Sequence, residues 1–217
     1  MVLKLVGNPL STCTRRVAII LKEKQVPFEF VLVDFAKGEH KSPEFLKNQP
    51  FGQVPYIVED DGFVVYESRA IGRYIALKYR DQGTPLLPDP TDLKAVALFE
   101  QAASIEQANF DFYASTIAWE KIFKAYFGST TNEEVVKEKL AGLEGKLDAY
   151  EVILSKQKYL AGDKLTVADL FHLPYGAVVS AAGFDIFNET KRPNLARWWK
   201  DISSRESWQA VKDRADA

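Results

Sequence analysis

The sequence predicts an α/β domain with a small mixed sheet, followed by an all-α domain. Strand and helix patterns alternate over residues 1–80. Residues 81–90 hold three prolines and one glycine, which is typical of a linker between domains. From residue 91 onward only helical spacing remains. We therefore expect one domain at 1–80, a linker at 81–90 and a second domain at 91–217.

The first domain begins with a predicted strand, helix and strand. Residues 2–7 form an apolar run that ends in a Gly-Asn-Pro turn, and residues 28–33 are β-branched and aromatic. Between them, residues 12–25 carry Val17 and Leu21 on one helical face. This order favours a parallel pair of strands joined by a right-handed crossover.

The rest of this domain contains a predicted hairpin between two helices. A short helix is expected after Pro43, strands at 54–59 and 63–66, and a helix at 68–79. An Asp-Gly step between the two strands is a strong hairpin signal. The predicted element order is β-α-β-α-β-β-α.

The second domain is predicted to be helical throughout. Thr166 and Asp169 have the spacing of a capping box, so a helix is expected to begin there. The predicted helical stretches are 91–127, 132–155, 166–182 and 193–213.

The composition excludes several classes of function. The 28 basic and 30 acidic residues give a net charge of −2, which leaves no electrostatic footprint for nucleic acid or for a membrane surface. A single cysteine cannot form an internal disulfide, and two histidines disfavour a metal site. The N-terminus lacks the apolar run of a signal peptide, and no stretch approaches the ~18 apolar residues of a membrane helix. We expect a cytoplasmic protein that binds neither nucleic acid nor membrane.

Glu67 and Ser68 suit the head group of an amino acid. Ser68 is a natural N-cap for the helix that follows, and the free amides at a helix start attract an anion. Glu67 can bind an ammonium group beside that anion. The alternative is that Glu67 and Ser68 only cap the helix.

Two further segments suit an extended peptide ligand. A cis bond before Pro55 would leave the backbone of Val54 free to pair with such a ligand as a neighbouring strand does. His40 and Lys41 can hold a carboxylate, with Gln53 nearby in the fold. The alternatives are an ordinary turn at Pro55 and a solvated loop at His40.

The chain resembles the glutathione transferases, and specifically the phi class of plants and fungi. The resemblance implies a thioredoxin-like first domain, a helical second domain and a homodimer. It covers nearly the whole chain through six segments: 11–17 (STCTRRV), 38–43 (GEHKSP), 50–55 (PFGQVP), 67–71 (ESRAI), 158–163 (KYLAGD) and 166–170 (TVADL).

The resemblance also implies a binding role for each of the residues above. Glu67 and Ser68 would hold the γ-glutamyl group of glutathione. The backbone of Val54 would pair with the cysteinyl residue. The glycine end would be held by His40, Lys41 and Gln53.

The resemblance makes Ser11 the catalytic residue, whose hydroxyl donates a hydrogen bond to the glutathione sulfur. A free thiol titrates near ~8.5, and a hydroxyl donor and a helix N-terminus both favour the thiolate. No metal or cofactor is needed, since glutathione is a cosubstrate.

Cys13 is the alternative centre for the chemistry. It lies about 200° around a helix from Ser11, so it is expected to point largely away from a ligand that Ser11 faces. In a Cys-x-x-Cys redox motif, the two cysteines would occupy the positions of Ser11 and Thr14. Cys13 matches neither position. We expect a bystander, and keep a Cys13-dependent glutathione thiol reductase as the rival enzyme.

An apolar electrophile is expected to bind beside the sulfur. Leu10 and Phe35 border the first-domain side, and the resemblance favours Trp119 and Phe123 on the other. Core or dimer packing is the alternative for the latter two. The expected activity is conjugation, with possible reduction of organic hydroperoxides; a non-catalytic ligand-binding protein is the non-enzyme rival.

Two aromatic residues outside these motifs also have expected roles. Phe51 precedes a glycine in an exposed loop, where it would act as an anchor in the partner subunit. His172 has no partner in the motif set, so a core or capping role is expected.

Overall fold

A computed structural model describes residues 2–216 and divides the chain into two compact units. The first unit runs to Leu87 and includes the chain from Arg205 onward, whereas the second is Pro88–Ser204. The division at Leu87 falls inside the segment expected as a linker. The unit boundaries differ from the expected second domain at 91–217, because the last part of the chain packs with the first unit.

The first unit follows the predicted order of strands and helices. A 3-10 turn at Glu39–Lys41, which the sequence pattern did not indicate, precedes α2. The elements are β1 (Lys4–Gly7), α1 (Thr12–Glu23), β2 (Glu29–Leu32), α2 (Pro43–Asn48), β3 (Tyr56–Val58), β4 (Val64–Tyr66) and α3 (Ser68–Lys78).

The four strands form one mixed sheet in the order β2-β1-β3-β4. β1 and β2 are parallel, with Leu5 opposite Phe30, while β1 and β3 are antiparallel, with Leu5 opposite Ile57. Leu5 and Ile57 are fully buried, so the centre of the sheet is core. The parallel pair and the β3–β4 hairpin confirm the predicted small mixed sheet.

Helix α1 is buried around most of its circumference. Val17 and Leu21 are fully buried as predicted, but Ala18 and Ile19 are equally buried. The helix packs against α3 and against α11 (Glu206–Val211), the last helix of the chain. The predicted pattern with one apolar face therefore underestimates how much of this helix is buried.

The end of the chain is held to the first unit by apolar packing and hydrogen bonds. Trp208 and Val211 of α11 are buried. Beyond the helix, the amide of Ala215 donates to the carbonyl of Pro9 at 3.0 Å. Arg205 pairs with the buried carboxylate of Glu23 in α1. These contacts explain why the expected 91–217 boundary is not the one observed.

The second unit is helical, with two interruptions of the predicted pattern. The expected helix at 91–127 contains two π-helical segments, Glu106–Asp111 and Trp119–Phe123. The expected helix at 166–182 breaks after Leu170 and resumes at Leu173. The α-helices are α4 (Leu93–Ile105), α5 (Phe112–Ala118), α6 (Lys124–Tyr126), α7 (Glu133–Leu154), α8 (Val167–Leu170), α9 (Leu173–Ala181) and α10 (Pro193–Ser203).

Asp169 organises the core of the second unit. The predicted capping box is present, and Asp169 Oδ2 accepts from both the amide and the hydroxyl of Thr166 at 3.0 Å. Its Oδ1 accepts from the Leu160 amide and from Trp198 Nε1, both at 2.9 Å. His172 is fully buried beside it, which confirms the expected core role. Burial lowers the pKa of His172, whose Nε2 lies 3.0 Å from the Tyr150 hydroxyl.

Across residues 2–216, none of the helices combines the length and the hydropathy required to cross a membrane. The longest helix, α7, carries charged residues along its whole course.

Candidate functional site

Ser11 caps the N-terminus of α1. Its backbone is extended, and its Oγ accepts a hydrogen bond from the Thr14 amide at 3.3 Å. This bond uses a lone pair of the hydroxyl oxygen, so the hydroxyl proton remains available to donate. Ser11 is only partly buried. Its hydroxyl thus sits at the positive end of a helix dipole with a proton to give to an anion.

Cys13 contacts a buried arginine that in turn binds Ser68, one of the predicted ligand residues. Its Sγ is 3.5 Å from Nη1 of Arg16, and the same Nη1 donates to Ser68 Oγ at 3.0 Å. Cys13 thus contacts a residue that binds Ser68, whereas its direction relative to a bound ligand stays a prediction. The angle around one helix does not reveal that a buried arginine connects that face to a second helix.

The Val54–Pro55 peptide bond is cis, as the sequence suggested. Val54 makes no backbone hydrogen bond to another residue within 2–216, and β3 starts only at Tyr56. Its neighbour Gln53 is exposed, with its amide tied to Gln49 Oε1 at 3.2 Å. The loop thus presents a free backbone unit next to an exposed amide side chain.

Glu67 and Ser68 meet at the start of α3, but their roles differ from the prediction. Glu67 is the N-cap residue, with φ of 70°, and Ser68 is the first helical residue rather than the cap. The strand ends at Tyr66, so the sharp turn into the helix falls on Glu67. Positive φ is uncommon for a residue with a side chain, and such strain concentrates at functional sites. The exposed Glu67 carboxylate and the buried Ser68 hydroxyl still flank the free amides of the helix.

Lys41 and His40 are fixed against the neighbouring loop. Lys41 Nζ donates to the carbonyls of Phe51 at 3.3 Å and Gly52 at 2.9 Å. Gly52 has φ of 61°, and a Cβ there would lie 2.9 Å from the backbone carbonyl oxygen of His40, so both the conformation and the space favour glycine. The bonds join the predicted cationic segment to the loop that carries Gln53.

His40 has a different environment from Lys41. Its ring packs edge-on against Phe35, with centroids 4.8 Å apart. Its Nδ1 is buried and finds no hydrogen-bond partner in residues 2–216. The pKa of His40 lies below its ordinary 6.5, mainly because the ring is buried and secondly because of the charge of Lys41. At neutral pH this ring is therefore uncharged.

The predicted apolar residues are accessible in their own units. In the first unit, Leu10 and Phe35 are exposed. In the second, Trp119 is exposed and Phe123 is half-buried, and both lie in the π-helical segment Trp119–Phe123. Phe127, which the sequence analysis did not select, packs on Trp119 with centroids 5.6 Å apart.

The loop after this segment is anchored to Glu120. Thr131 Oγ1 donates to the Glu120 carbonyl at 2.8 Å, and the Asn132 amide donates to Glu120 Oε2 at 2.8 Å. Lys124 pairs with the same carboxylate. These bonds hold both ends of the turn that carries Phe127.

Comparisons with known proteins identify the family of this chain. The family model "Glutathione S-transferase, N-terminal domain" matches residues 1–77, and "Glutathione S-transferase, C-terminal domain" matches residues 110–206. Glutathione S-transferase PM239X14 of Arabidopsis thaliana is 50% identical over 197 residues, which cover 90% of this chain and 89% of that protein. The chain belongs to the glutathione S-transferase family.

Solved structures extend the comparison to the fold. Glutathione transferase F7 from Populus trichocarpa has a TM-score of 0.92 and 38% identity, with all of both chains covered. Glutathione S-transferase I from maize, in complex with an atrazine glutathione conjugate, has a TM-score of 0.87 and 33% identity, covering 98% of this chain and 97% of that one. The F-type relatives confirm the phi class for this glutathione transferase.

Sequence reasoning about this glutathione transferase missed Arg16. It stands in an apolar helical stretch, where its pattern indicates nothing beyond a charged residue on α1. Its contact with Ser68 joins residues 52 positions apart. Asn8 was also treated only as a turn residue, although its side chain donates to the Val33 carbonyl and accepts from the Leu10 amide.

Proposed function

We propose that this glutathione transferase conjugates glutathione to apolar electrophiles, and that the Ser11 hydroxyl donates a hydrogen bond to the glutathione thiolate. The geometry of Ser11 carries the proposal. Its oxygen accepts from Thr14 at the start of α1, so its proton is left for a ligand. A donor at a helix N-terminus favours the thiolate over the thiol, and the thiolate is the nucleophile.

The glutathione backbone has a proposed partner at each end. Glu67 binds the ammonium of the γ-glutamyl group, while Ser68 and the free amides of α3 bind its carboxylate. The unpaired backbone of Val54 pairs with the cysteinyl residue. Lys41 and Gln53 bind the glycine carboxylate, with His40 beside them.

The electrophile is proposed to contact Leu10, Phe35, Trp119 and Phe123. Their accessible apolar surface supports an apolar second substrate. The maize relative was solved with a conjugate of glutathione and atrazine, which is a precedent for such a product.

We also propose reduction of organic hydroperoxides. The glutathione thiolate attacks the peroxide oxygen, which breaks the O–O bond, releases an alcohol after protonation and leaves a glutathione sulfenic acid. A second glutathione displaces water from that acid to form the disulfide. The same Ser11 bond serves this reaction, since both reactions need the thiolate.

A homodimer in the cytoplasm completes the proposal. Phe51 is 64% exposed, which supports its role as an anchor for a second copy. The single cysteine permits no internal disulfide, in agreement with a reducing compartment.

Three substitutions of Ser11 separate catalysis from helix capping. Ser11→Ala and Ser11→Gly both remove the hydroxyl, so both should lose most conjugation of an aryl halide while still binding glutathione. Ser11→Ala should also lower the free energy of unfolding by about 1 kcal/mol, whereas glycine, an acceptable N-cap, costs only a few tenths. Ser11→Thr keeps both functions. Steady-state kinetics, calorimetry with glutathione and urea unfolding provide the readouts.

The outcomes distinguish this proposal from its rivals. Unchanged turnover in Ser11→Gly would remove Ser11 from the mechanism. The contact of Cys13 with Arg16 favours one second candidate, a thiol reductase. Activity on a mixed disulfide that disappears in Cys13→Ser would support that candidate. Micromolar ligand binding with negligible turnover would indicate a binding protein.

A further inference from the structure

Arg16 connects helix α1 to the start of helix α3. Its side chain is fully buried, and α1 packs directly against α3. Nη1 donates to Ser68 Oγ at 3.0 Å and lies 3.5 Å from Cys13 Sγ. The planar guanidinium is thus held in place beneath the N-terminus of α3.

This contact affects how Ser68 can bind a ligand. Because Ser68 Oγ accepts from Arg16, its own proton remains available to donate, and Ser68 is the first residue of the helix. The first amides of α3 also lack partners within the helix and favour an anion. The buried guanidinium that binds the hydroxyl adds positive charge beside it, which also favours an anion.

We infer that Arg16 is a positioning residue for glutathione binding: it orients the Ser68 hydroxyl and adds positive charge behind the subsite for the γ-glutamyl carboxylate. The inference rests on the proposed function of Glu67 and Ser68. Arg16 acts through Ser68 and does not touch the substrate. Its loss should therefore weaken glutathione binding and leave electrophile binding unchanged.

Kinetics of Arg16 variants test the inference, with glutathione and 1-chloro-2,4-dinitrobenzene as the substrates. Arg16→Gln should raise KM for glutathione about tenfold, since a hydrogen bond to a charged group is lost. Arg16→Lys keeps the charge and should recover part of the affinity. In both variants KM for the aryl halide should stay within about twofold. A purely structural role would instead change both KM values and kcat together.

Arg15→Lys is the matched control. Arg15 is the adjacent buried arginine of α1, and its Nη1 donates to the Lys212 carbonyl. Its glutathione KM should match the wild type. An equal loss in Arg15→Lys and Arg16→Lys would overturn the inference.

A double-mutant cycle covers the case in which Arg16→Gln does not fold. If Arg16 acts through Ser68, Arg16→Lys should add no further loss of glutathione affinity in the Ser68→Ala background. Additive losses, measured by calorimetry, would overturn the inference. If the wild type binds glutathione and the Arg16 variants bind it equally well, this inference alone is overturned. If the wild type does not bind glutathione, the proposed function is overturned as well.

Discussion

Ser11, Lys41 and Ser68 each form hydrogen bonds inside the protein and retain a further hydrogen-bond donor. Ser11 accepts from the Thr14 amide, and Ser68 accepts from Arg16, so both hydroxyls retain a proton. Lys41 donates to two loop carbonyls and has a third N–H. The internal bonds hold each group in place, and in the proposed function this would lower the entropy lost on binding glutathione.

His40 and Lys41 should respond differently to pH. Because burial lowers the pKa of His40, its ring is neutral at about pH 7.5, and the positive charge at that end comes from Lys41. Lowering the pH below 6.5, towards the lowered pKa, should begin to protonate His40 and add a second cation. We therefore expect the affinity for S-methylglutathione to rise on acidification, as measured by calorimetry.

Two variants isolate the contributions of these residues. His40→Gln should abolish the gain on acidification and change affinity little at neutral pH. Lys41→Met should weaken binding about fivefold at neutral pH. An unchanged pH profile in His40→Gln would show that another group titrates.

The lowered pKa of His40 also affects the stability of the protein. The stability contributed by His40 falls as the pH drops below 6.5, since the ring in the unfolded chain takes up the proton first.

Among the helices, α8 depends most on a single side chain. Its four residues are too few to be stable alone, and Asp169 joins them to Thr166, to Leu160 and to Trp198 of α10. Every donor is buried with the carboxylate, so the bonds are not in competition with water. The element is therefore a product of its tertiary contacts as much as of its capping sequence.

Asp169→Asn should destabilise the protein by about 3 kcal/mol or more. The amide nitrogen cannot accept from the two donors that it would face, which leaves buried polar groups unpaired. Urea unfolding measures the loss. Asp163→Asn, an exposed carboxylate in the preceding turn, should stay within about 0.5 kcal/mol of the wild type. Equal effects at the two positions would contradict the central role of Asp169.

At the level of assembly, the first unit leaves large apolar side chains on its surface. Phe51 is 64% exposed, and its ring makes an edge contact with Tyr66 at a centroid distance of 6.2 Å. Leu32, at 60% exposure on strand β2, is comparable in exposure but lies in an edge strand. An exposed aromatic next to a rigid Gly52 turn is suited to insertion into a pocket of a second copy.

Phe51→Ala should shift the protein from dimer to monomer at micromolar concentration. The loss of a buried aromatic anchor costs an interface about 2 kcal/mol or more, which raises the dimer dissociation constant about thirtyfold. Light scattering gives the mass. Leu32→Ala should leave it unchanged, and a dimer mass that persists in Phe51→Ala would remove the anchor role.

Local patterns were sufficient to predict most of the first unit. The alternation of apolar residues and the Asp-Gly step led to the four strands, the hairpin and the parallel pair, because pleat and turn chemistry act over a few residues. The capping box at Thr166 was recognisable for the same reason. The π-helical segments were not, since their register depends on partners such as Thr131 that lie beyond the helix.

The order of elements, the motif set and the family were determined by residue type and spacing, which are properties of the chain before it folds. The packing of α11 against α1, the turn at Glu67 and the bond from Arg16 to Ser68 were decided only by the tertiary structure. Each joins or depends on segments far apart in the chain, and side-chain periodicity records that a face is apolar without recording what covers it. Ser11 could therefore be selected from its motif, whereas Arg16 emerged only once α1 and α3 were packed together.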